Sequence, residues 1–404
     1  MKKRFDFKES KLKKINLNKI KFHKPNWQLI KEKTLWLKYH LKYNKKSVAT
    51  FGIVAALVIT GAFIYSFRYN LMFMSNGDST PKKIYTLDAS KQNEMYAYND
   101  NILIVNNDGA ICINKKGEEV FEVSAKTSTP IVGIAGDYIL IADRGGSEVY
   151  VIHDGDIVNN FSAENEIINC SINRRGRTVL VTNETSYRNV IAAYNSRGDE
   201  IYKWKISDFY VIDAVMSYDG SRIAATYITT KDEQLSGGVV MVHVRREEVL
   251  GKVSYKDRVF SYVAFNGDNT ATAIGDTMML GVNKKGEERW AVDYDGKKLQ
   301  IFGFREGWGS VLAFENNSNN STIIAYDNNG REKGKNRLDF TANNIDMRSG
   351  LSLVTGSDRT IAVDRKCRQR LQINFQQEFK KGWFKDNKTL IYLVNGSNIE
   401  VIKL

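Results

Sequence analysis

Cysteine, proline and histidine are all scarce in this sequence of 404 residues, with three, three and four copies. An odd number of cysteines, at Cys112, Cys170 and Cys367, does not fit a framework of disulfides. Outside the first 80 residues the only histidines are His153 and His243, and no Cys/His spacing matches a zinc site. We expect Cys112 and Cys170 to be buried in strands. Cys367 stands where a turn glycine belongs, and we expect it to be exposed.

Acidic residues are nearly absent from the first 46 residues. This segment holds 16 lysines or arginines and three acids, whereas residues 47–404 hold 43 basic and 43 acidic side chains. The whole formal net charge of +13 therefore lies in the N-terminal arm. The arm is followed by residues 47–67, a run of 21 residues without a charged side chain.

Residues 47–67 are apolar on every helical face. As a helix they would extend roughly 32 Å, which matches the hydrocarbon core of a bilayer. A buried core helix and a signal peptide are the alternatives, but a signal peptide has a shorter apolar region and a small-residue cleavage site. The sequence predicts one membrane-spanning helix with a cytoplasmic N-terminus, because basic flanks remain inside. Residues 82–404 would then be extracytoplasmic.

The basic arm, residues 1–46, carries aromatic residues among its lysines. Pro25 is a plausible helix start, and the stretch that follows could lie along the membrane interface. Anionic headgroups attract such a segment. A cytoplasmic protein and a nucleic acid are the alternatives, and we expect no nucleic-acid partner. The predicted membrane-surface residues are Trp27, Lys31, Lys33, Trp36, Lys38, Lys42, Lys45 and Lys46.

After a tether at residues 68–81, short apolar-alternating segments are separated by turn residues. No long amphipathic helix follows residue 68. Segments such as Ile102–Val105, Tyr138–Ile141 and Thr178–Val181 have the length and alternation of strands. The pattern predicts an all-β domain.

One turn recurs along this domain. It has an apolar residue, Asn or Asp, two polar residues and then glycine, as in Ile113–Gly117, Tyr194–Gly198, Val282–Gly286 and Tyr326–Gly330. With altered copies included, the marker positions are 117, 155, 198, 247, 286, 330 and 367, with spacings of 37 to 49 residues. A period near 42 residues with four strands per unit is typical of β-propeller blades. A second recurring turn, such as Ser217–Gly220, would join the first and second strands of a blade.

The C-terminal end carries three further strands without a fourth. The N-terminal strand Lys83–Leu87 has no blade of its own, and pairing it with the last strand would close the ring. We therefore predict an eight-bladed propeller over residues 82–404, with seven blades as the alternative. Closure removes the exposed sheet edges that would otherwise recruit other chains.

Two units continue the turn into a fourth strand with tryptophan, at Trp204 and Trp290. This repeat resembles that of the pyrroloquinoline-quinone-like propellers, which include quinoprotein dehydrogenases and the lipoprotein of the outer-membrane barrel assembly complex. Many of them have eight blades. The basic arm, spanning helix and propeller together resemble an uncharacterised family of Gram-positive bacterial membrane-anchored propellers. The adjacent cysteines of the quinoprotein active site are missing here.

No catalytic, cofactor-binding or metal-binding residue is predicted. Acids such as Asp268, Asp276, Asp293 and Asp295 look like turn formers, and no glycine-rich phosphate loop lies between a strand and a helix. Residues 229–238 lengthen one second-to-third strand loop, and such insertions often mark a binding side. The candidate partner-binding residues are Tyr187, Lys231, Gln234 and Trp308.

These features predict a non-catalytic platform in the cell envelope, anchored in the membrane, that binds a protein or a wall polymer. The alternatives are a glycan-acting enzyme centred on the channel, or a receptor that signals through the spanning helix. Clustered acids in the channel would favour the enzyme.

Overall fold

The computed structural model describes residue 60 and residues 81–403, without residues 232, 318, 349, 385–389 and 395. The predicted basic arm and spanning segment therefore lie outside the described residues, apart from Thr60, which is helical.

No helix in the described part of the chain has both the length and the apolar character needed to cross a membrane.

The described chain is almost entirely strands, and its first half forms four sheets of four consecutive strands. A strand that precedes these sheets is β1, Lys82–Thr86. Blade 1 contains β2 (Glu94–Tyr98), β3 (Asn101–Asn106), β4 (Gly109–Ile113) and β5 (Glu119–Ser124). Blade 2 contains β6 (Pro130–Ala135), β7 (Tyr138–Asp143), β8 (Glu148–His153) and β9 (Asp156–Ser162). Blade 3 contains β10 (Ile167–Ile172), β11 (Thr178–Glu184), β12 (Tyr187–Tyr194) and β13 (Glu200–Ile206). Blade 4 contains β14 (Tyr210–Met216), β15 (Arg222–Lys231), β16 (Gln234–His243) and β17 (Glu248–Lys256), with a 3-10 turn at Val244–Arg246.

The second half repeats the arrangement. Blade 5 contains β18 (Phe260–Phe265), β19 (Ala271–Gly275), β20 (Met278–Val282) and β21 (Glu288–Asp293). Blade 6 contains β22 (Leu299–Arg305), β23 (Gly309–Asn317), β24 (Asn320–Tyr326) and β25 (Glu332–Arg337). Blade 7 contains β26 (Asn344–Arg348), β27 (Leu351–Thr355), β28 (Arg359–Asp364) and β29 (Gln369–Asn374). Blade 8 contains β30 (Lys381–Phe384), β31 (Leu390–Val394) and β32 (Asn398–Lys403), and its fourth strand is β1.

These strands form eight four-stranded antiparallel sheets, and the all-β propeller prediction is confirmed. In seven sheets the strands pair in chain order, whereas the order in the eighth is β1-β32-β31-β30. The register pairs Lys82 with Val401 and Thr86 with Asn398, with a bulge after Lys83. The first and last strands of the described domain thus share one sheet.

The hydrophobic core is a ring of eight clusters, each shared by two successive blades. The cluster between blades 8 and 1, for example, joins Trp383 and Ile399 to Ile102. The central strands of each sheet are hydrophobic on both faces, because both faces are covered by neighbouring blades. Full burial of one such aliphatic or aromatic side chain stabilises the fold by about 1.5–3 kcal/mol.

Each blade exposes its ends on two opposite faces of the ring. The face formed by the first-to-second and third-to-fourth strand turns, such as Gly136–Asp137 and Asn114–Gly117, is called the turn face here. The face formed by the second-to-third turns and the connections between blades is called the loop face. Because β1 begins beside the end of β32, the chain enters the propeller at Lys82 on the turn face.

The insertion at residues 229–238 differs from the loop that its composition predicts. β15 and β16 are ten residues each, and their pairing continues through Thr229 with Ser236 to Lys231 with Gln234. β-Branched residues favour extended backbone, so the added residues lengthen the hairpin instead of forming an irregular loop. β17 pairs with β16 only as far as Ser236, so the tip extends beyond its own sheet.

The cysteine expectations need two corrections. Cys367 is only 1% exposed, because its side chain packs into the cluster between blades 6 and 7 while its backbone makes the turn with φ +55°. Cys170 is half-buried, because β10 is an innermost strand and this side chain lines the central channel. Cys112 is buried as expected, and all three thiols are free.

Deletion of residues 398–404 should prevent the propeller from folding. It removes β32, which is hydrogen-bonded to both β31 and β1, together with the fully buried side chains of Ile399 and Ile402. We expect loss of the cooperative thermal transition, measured by circular dichroism. Lys403→Ala, which keeps every backbone pair of β32, is the control. A soluble deletion variant that melts cooperatively would refute the closure by β1.

Candidate functional site: channel and exposed faces

The innermost strands of blades 2 to 6 line a cavity of about 560 Å³ in the central channel. Its wall combines aromatic side chains, such as Tyr262 and Phe304, with polar groups, such as Asn169 and Asp213. Concave pockets with a few convergent polar groups are the usual location of small-molecule sites. The hydrogen-bond partners of these polar groups therefore decide what the channel can do.

Asp213, in blade 4, is hydrogen-bonded to both neighbouring blades. One carboxylate oxygen accepts a hydrogen bond from the backbone N–H of Val263 in blade 5 at 3.0 Å, and the other accepts from the side-chain amide of Asn169 in blade 3 at 3.1 Å. Burial raises the pKa of Asp213 to about 6, although these hydrogen bonds favour its ionised form. The carboxylate is a structural acceptor at the junction of neighbouring inner strands.

Asp346 has the same role between blades 7 and 8. Its carboxylate accepts a hydrogen bond from the backbone N–H of Phe384 at 2.9 Å, and Asn344 accepts one from Gly382 at 3.2 Å. Burial raises the pKa of Asp346, partly offset by that backbone hydrogen bond. Glu306, a third acid near the channel, is paired with Arg174 at 3.3 Å. In the described residues, these three acids are thus engaged separately, each with its own partners.

The predicted partner-binding residues occupy both faces. Tyr187 begins β12, and Lys231 and Gln234 end the long hairpin, so all three lie on the loop face of neighbouring blades 3 and 4. Trp308 lies in a first-to-second strand turn of blade 6, on the turn face. Its half-buried ring packs on the cluster between blades 6 and 7, under the guanidinium of Arg365 at 5.4 Å. Three of the four predicted residues are therefore grouped, and Trp308 is separate from them.

A cluster of tyrosines and cations surrounds Tyr187, and sequence analysis missed most of it. Lys205 lies over the Tyr187 ring at 5.1 Å, and Arg188 lies over the ring of Tyr210 at 4.7 Å. Tyr187 is 36% exposed and Tyr210 is 48% exposed. These four residues form the tyrosine patch. The alternation of β12 and β14 suggests strand ends, but it does not reveal the cation over each tyrosine ring.

The long hairpin is attached to the same region of the loop face. Arg188 donates to the carbonyl of Ser207 at 3.0 Å, and Thr229 in β15 donates to the carbonyl of Asp208 at 2.8 Å. The connection between blades 3 and 4 therefore binds the tyrosine patch on one side and the hairpin on the other. Patch and hairpin form one continuous surface.

Asp137, His153 and Asp154 come together on the turn face of blade 2. One ligand atom from each residue lies within 4.8 Å of the others. Asp137 also accepts a hydrogen bond from the Asn99 side chain, and the His153 ring packs on Tyr138 with centroids 4.2 Å apart. Two carboxylates and an imidazole suit a divalent transition metal. Sequence spacing did not show this group because its members belong to two separate turns of one blade.

Residues 77–404 match the family described as "Family of unknown function (DUF5711)". The chain belongs to this family. No curated protein matches the chain.

Solved structures similar to this DUF5711 chain are propellers. BamB from Moraxella catarrhalis has a TM-score of 0.50 at 12% identity, over 81% of this chain and 98% of BamB. The C-terminal WD40 domain of Sif2 has a TM-score of 0.56 at 11% identity, over 81% of this chain and 99% of that domain. A eukaryotic initiation factor has a TM-score of 0.52 at 12% identity, over 80% and 88% of the two chains. At these identities the similarity establishes the fold alone.

Asp213→Asn should change how stability depends on pH. The folded carboxyl has a pKa of about 6, above the ordinary 3.8, so its ionisation destabilises the folded state progressively as pH rises from about 4 to 6. The asparagine variant lacks this effect. We expect its free energy of unfolding, relative to the wild type, to increase by about 2 kcal/mol between pH 4.5 and 7.5, measured by urea denaturation.

Asp219→Asn is the control for this measurement. Although burial alone would raise the pKa of Asp219, hydrogen bonds from Ser217 and Ser221 lower it below its usual range. Both its folded and unfolded forms are ionised across the pH range tested, so its effect should be nearly constant. An equally flat profile for Asp213→Asn would contradict the assignment of a raised pKa.

Proposed function

We propose that this protein is a single-pass membrane protein with a cytoplasmic N-terminus and an extracytoplasmic propeller. The propeller acts as a non-catalytic platform that binds an envelope protein or a wall polymer through its loop face. The apolar run at residues 47–67 and the basic residues before it support the anchoring and its direction. The fold shared with BamB and a WD40 domain supports a binding role. The packing of Trp290 on blade 6 supports the resemblance to quinoprotein-type repeats.

The observation that carries the binding role is the tyrosine patch beside the long hairpin. Tyrosine and arginine are enriched at the centres of protein interfaces, where large rings lose little conformational freedom on binding. The cations over Tyr187 and Tyr210 hold both rings in place before a partner arrives. The extended hairpin gives a partner a second contact next to the rings.

The channel supports a non-catalytic role. Asp213 and Asp346 accept hydrogen bonds from neighbouring blades, so their carboxyl groups are occupied in the junctions between blades. A general acid or base must exchange protons with a substrate instead. The loop face is therefore the preferred location of function.

Photocrosslinking should identify the binding face. With p-benzoylphenylalanine in place of Tyr187 or Gln234, we expect a discrete adduct in intact cells of the native host, identified by mass spectrometry. The matched control is Tyr218 on the turn face, which is 52% exposed and carries Arg175 over its ring at 4.6 Å. The same adduct from position 218, or an adduct only there, would show that the loop face is not the binding face.

Labelling with a membrane-impermeant maleimide should determine the topology. A cysteine at Ser196 in the propeller should react in intact cells, whereas a cysteine at Ser10 in the basic arm should react only after permeabilisation. Each variant carries Cys170→Ser, because the other native thiols are buried. Protection in intact cells of both position 196 and a cysteine at Thr185, which is exposed on the opposite face, would place the propeller in the cytosol and refute the proposed topology.

A further inference from the structure

The turn face carries basic side chains at the tips of its third-to-fourth strand turns. In five of the seven turns, the two residues that precede the marker position are exposed and include one or two cations. These are Lys115–Lys116, Arg197, Arg245–Arg246, Lys284–Lys285 and Arg365–Lys366. We call them the basic tips. Blade 8 adds the exposed side chains of Lys82 and Lys83 at the same face.

The acids that follow the basic tips are engaged in forming the turns. The side-chain amide of Asn114 donates to Glu118 at 2.9 Å, and Asn283 donates to Glu287 at 2.8 Å. The Asn283 carbonyl accepts from the backbone N–H of Lys285 and of Glu287. Two of the following acids also pair with tip cations, Glu118 with Lys116 at 3.5 Å and Glu248 with Arg246 at 3.6 Å, so the charge of these two tips is partly offset. In the described residues, neither Lys284 nor Lys285 forms an ion pair, so the cations at this tip remain available.

The chain enters the propeller on this same face. Lys82 pairs with Val401 at the turn-face end of blade 8, and a glycine of the neighbouring blade 1 turn, Gly117, closely approaches Ile84. Only residues 68–81 separate the predicted spanning segment from β1. Fourteen residues reach at most about 50 Å when fully extended. The start of β1, at the turn face, would therefore lie within about 50 Å of the bilayer.

We propose that the turn face docks on the surface of an anionic bilayer through the basic tips. This inference rests on the proposed membrane anchoring. Surface charges act strongly only within about 10 Å at moderate ionic strength, so the tips must approach the headgroups closely. Tips distributed over several blades hold the disc parallel to the membrane, whereas a single cluster would let it tilt. The tyrosine patch and the long hairpin then point away from the membrane, toward the partner.

Fluorescence quenching in nanodiscs tests this orientation with the full-length protein. A fluorophore is attached at Ser196→Cys on the turn face or at Thr185→Cys on the loop face, both exposed and both in blade 3, in a Cys170→Ser background. The discs contain a lipid-bound quencher in phosphatidylcholine, alone or with phosphatidylglycerol. We expect several-fold stronger quenching at position 196 than at position 185 in the anionic discs, and loss of this difference in neutral discs or at high salt.

Charge reversal identifies the side chains responsible. Lys284→Glu with Lys285→Glu should weaken quenching at position 196. Lys297→Glu with Lys298→Glu, an equal change on the loop face next to the same blade, should leave it unchanged. Equal quenching at both positions in anionic discs, or an equal effect of the two double variants, would overturn the proposal.

Two further outcomes separate this inference from the proposed function. A chain that does not insert into discs at all refutes the anchoring and, with it, the docking. A chain that inserts but shows no preference for one face refutes the docking alone. If the two lipid mixtures give the same result and the tip lysines instead bind an added DNA duplex, the turn face is a nucleic-acid surface and the proposal fails.

Discussion

The structure depends on how a fourth-strand residue of each blade meets the turn of the next. Phe121 and Trp290 each lie four residues after a marker position. Phe121 packs on Gly155 of the next blade, and Trp290 packs on Gly330. The indole N–H of Trp290 also donates to the carbonyl of Asn328 at 3.1 Å. A Cβ at Gly155 or Gly330 would lie 2.9 or 2.4 Å from the ring it faces. Glycine is thus needed twice, for the positive φ of the turn and for the approach of the neighbour. Each blade is completed by its neighbour, so the blades are stable together and not separately.

The exceptions to the glycine show how strict this constraint is. Cys367 and Glu247 occupy marker positions with φ of +55° and +52°, where a non-glycine residue is strained. Between blades 4 and 5 no aromatic ring is involved, and a Cβ on Gly286 would lie 2.8 Å from the backbone of Gly251. The contact can therefore use a ring against a glycine or two backbones against each other. What must be preserved is the close spacing of successive turns.

The turn serves both the backbone conformation within a blade and the contact with the next blade, and only the first of these can be read from the sequence. The turn residues are fixed by local geometry, so their spacing predicted the repeat, the strand pattern and the place of β1. Properties that depend on contacts between blades were not predictable from one strand. Cys367 looked exposed because turns are usually exposed, but the neighbouring blade covers its side chain. The partners of Asp213 lie 44 and 50 residues away, and the tyrosine patch joins two blades.

The propeller separates the residues that maintain the ring from those that can vary. Inner strands bind neighbouring blades through side chains such as Asp213 and Asn344, and outer strands bind them through the turn contact. On the loop face, Arg188 and Thr229 bind the connection between blades 3 and 4 and belong to neither set of contacts. β15 and β16 extend past the point where β17 pairs with β16, so the added residues disturb no contact between blades. Loop-face residues could therefore change to suit a partner while the turn face retained its repeated, basic pattern.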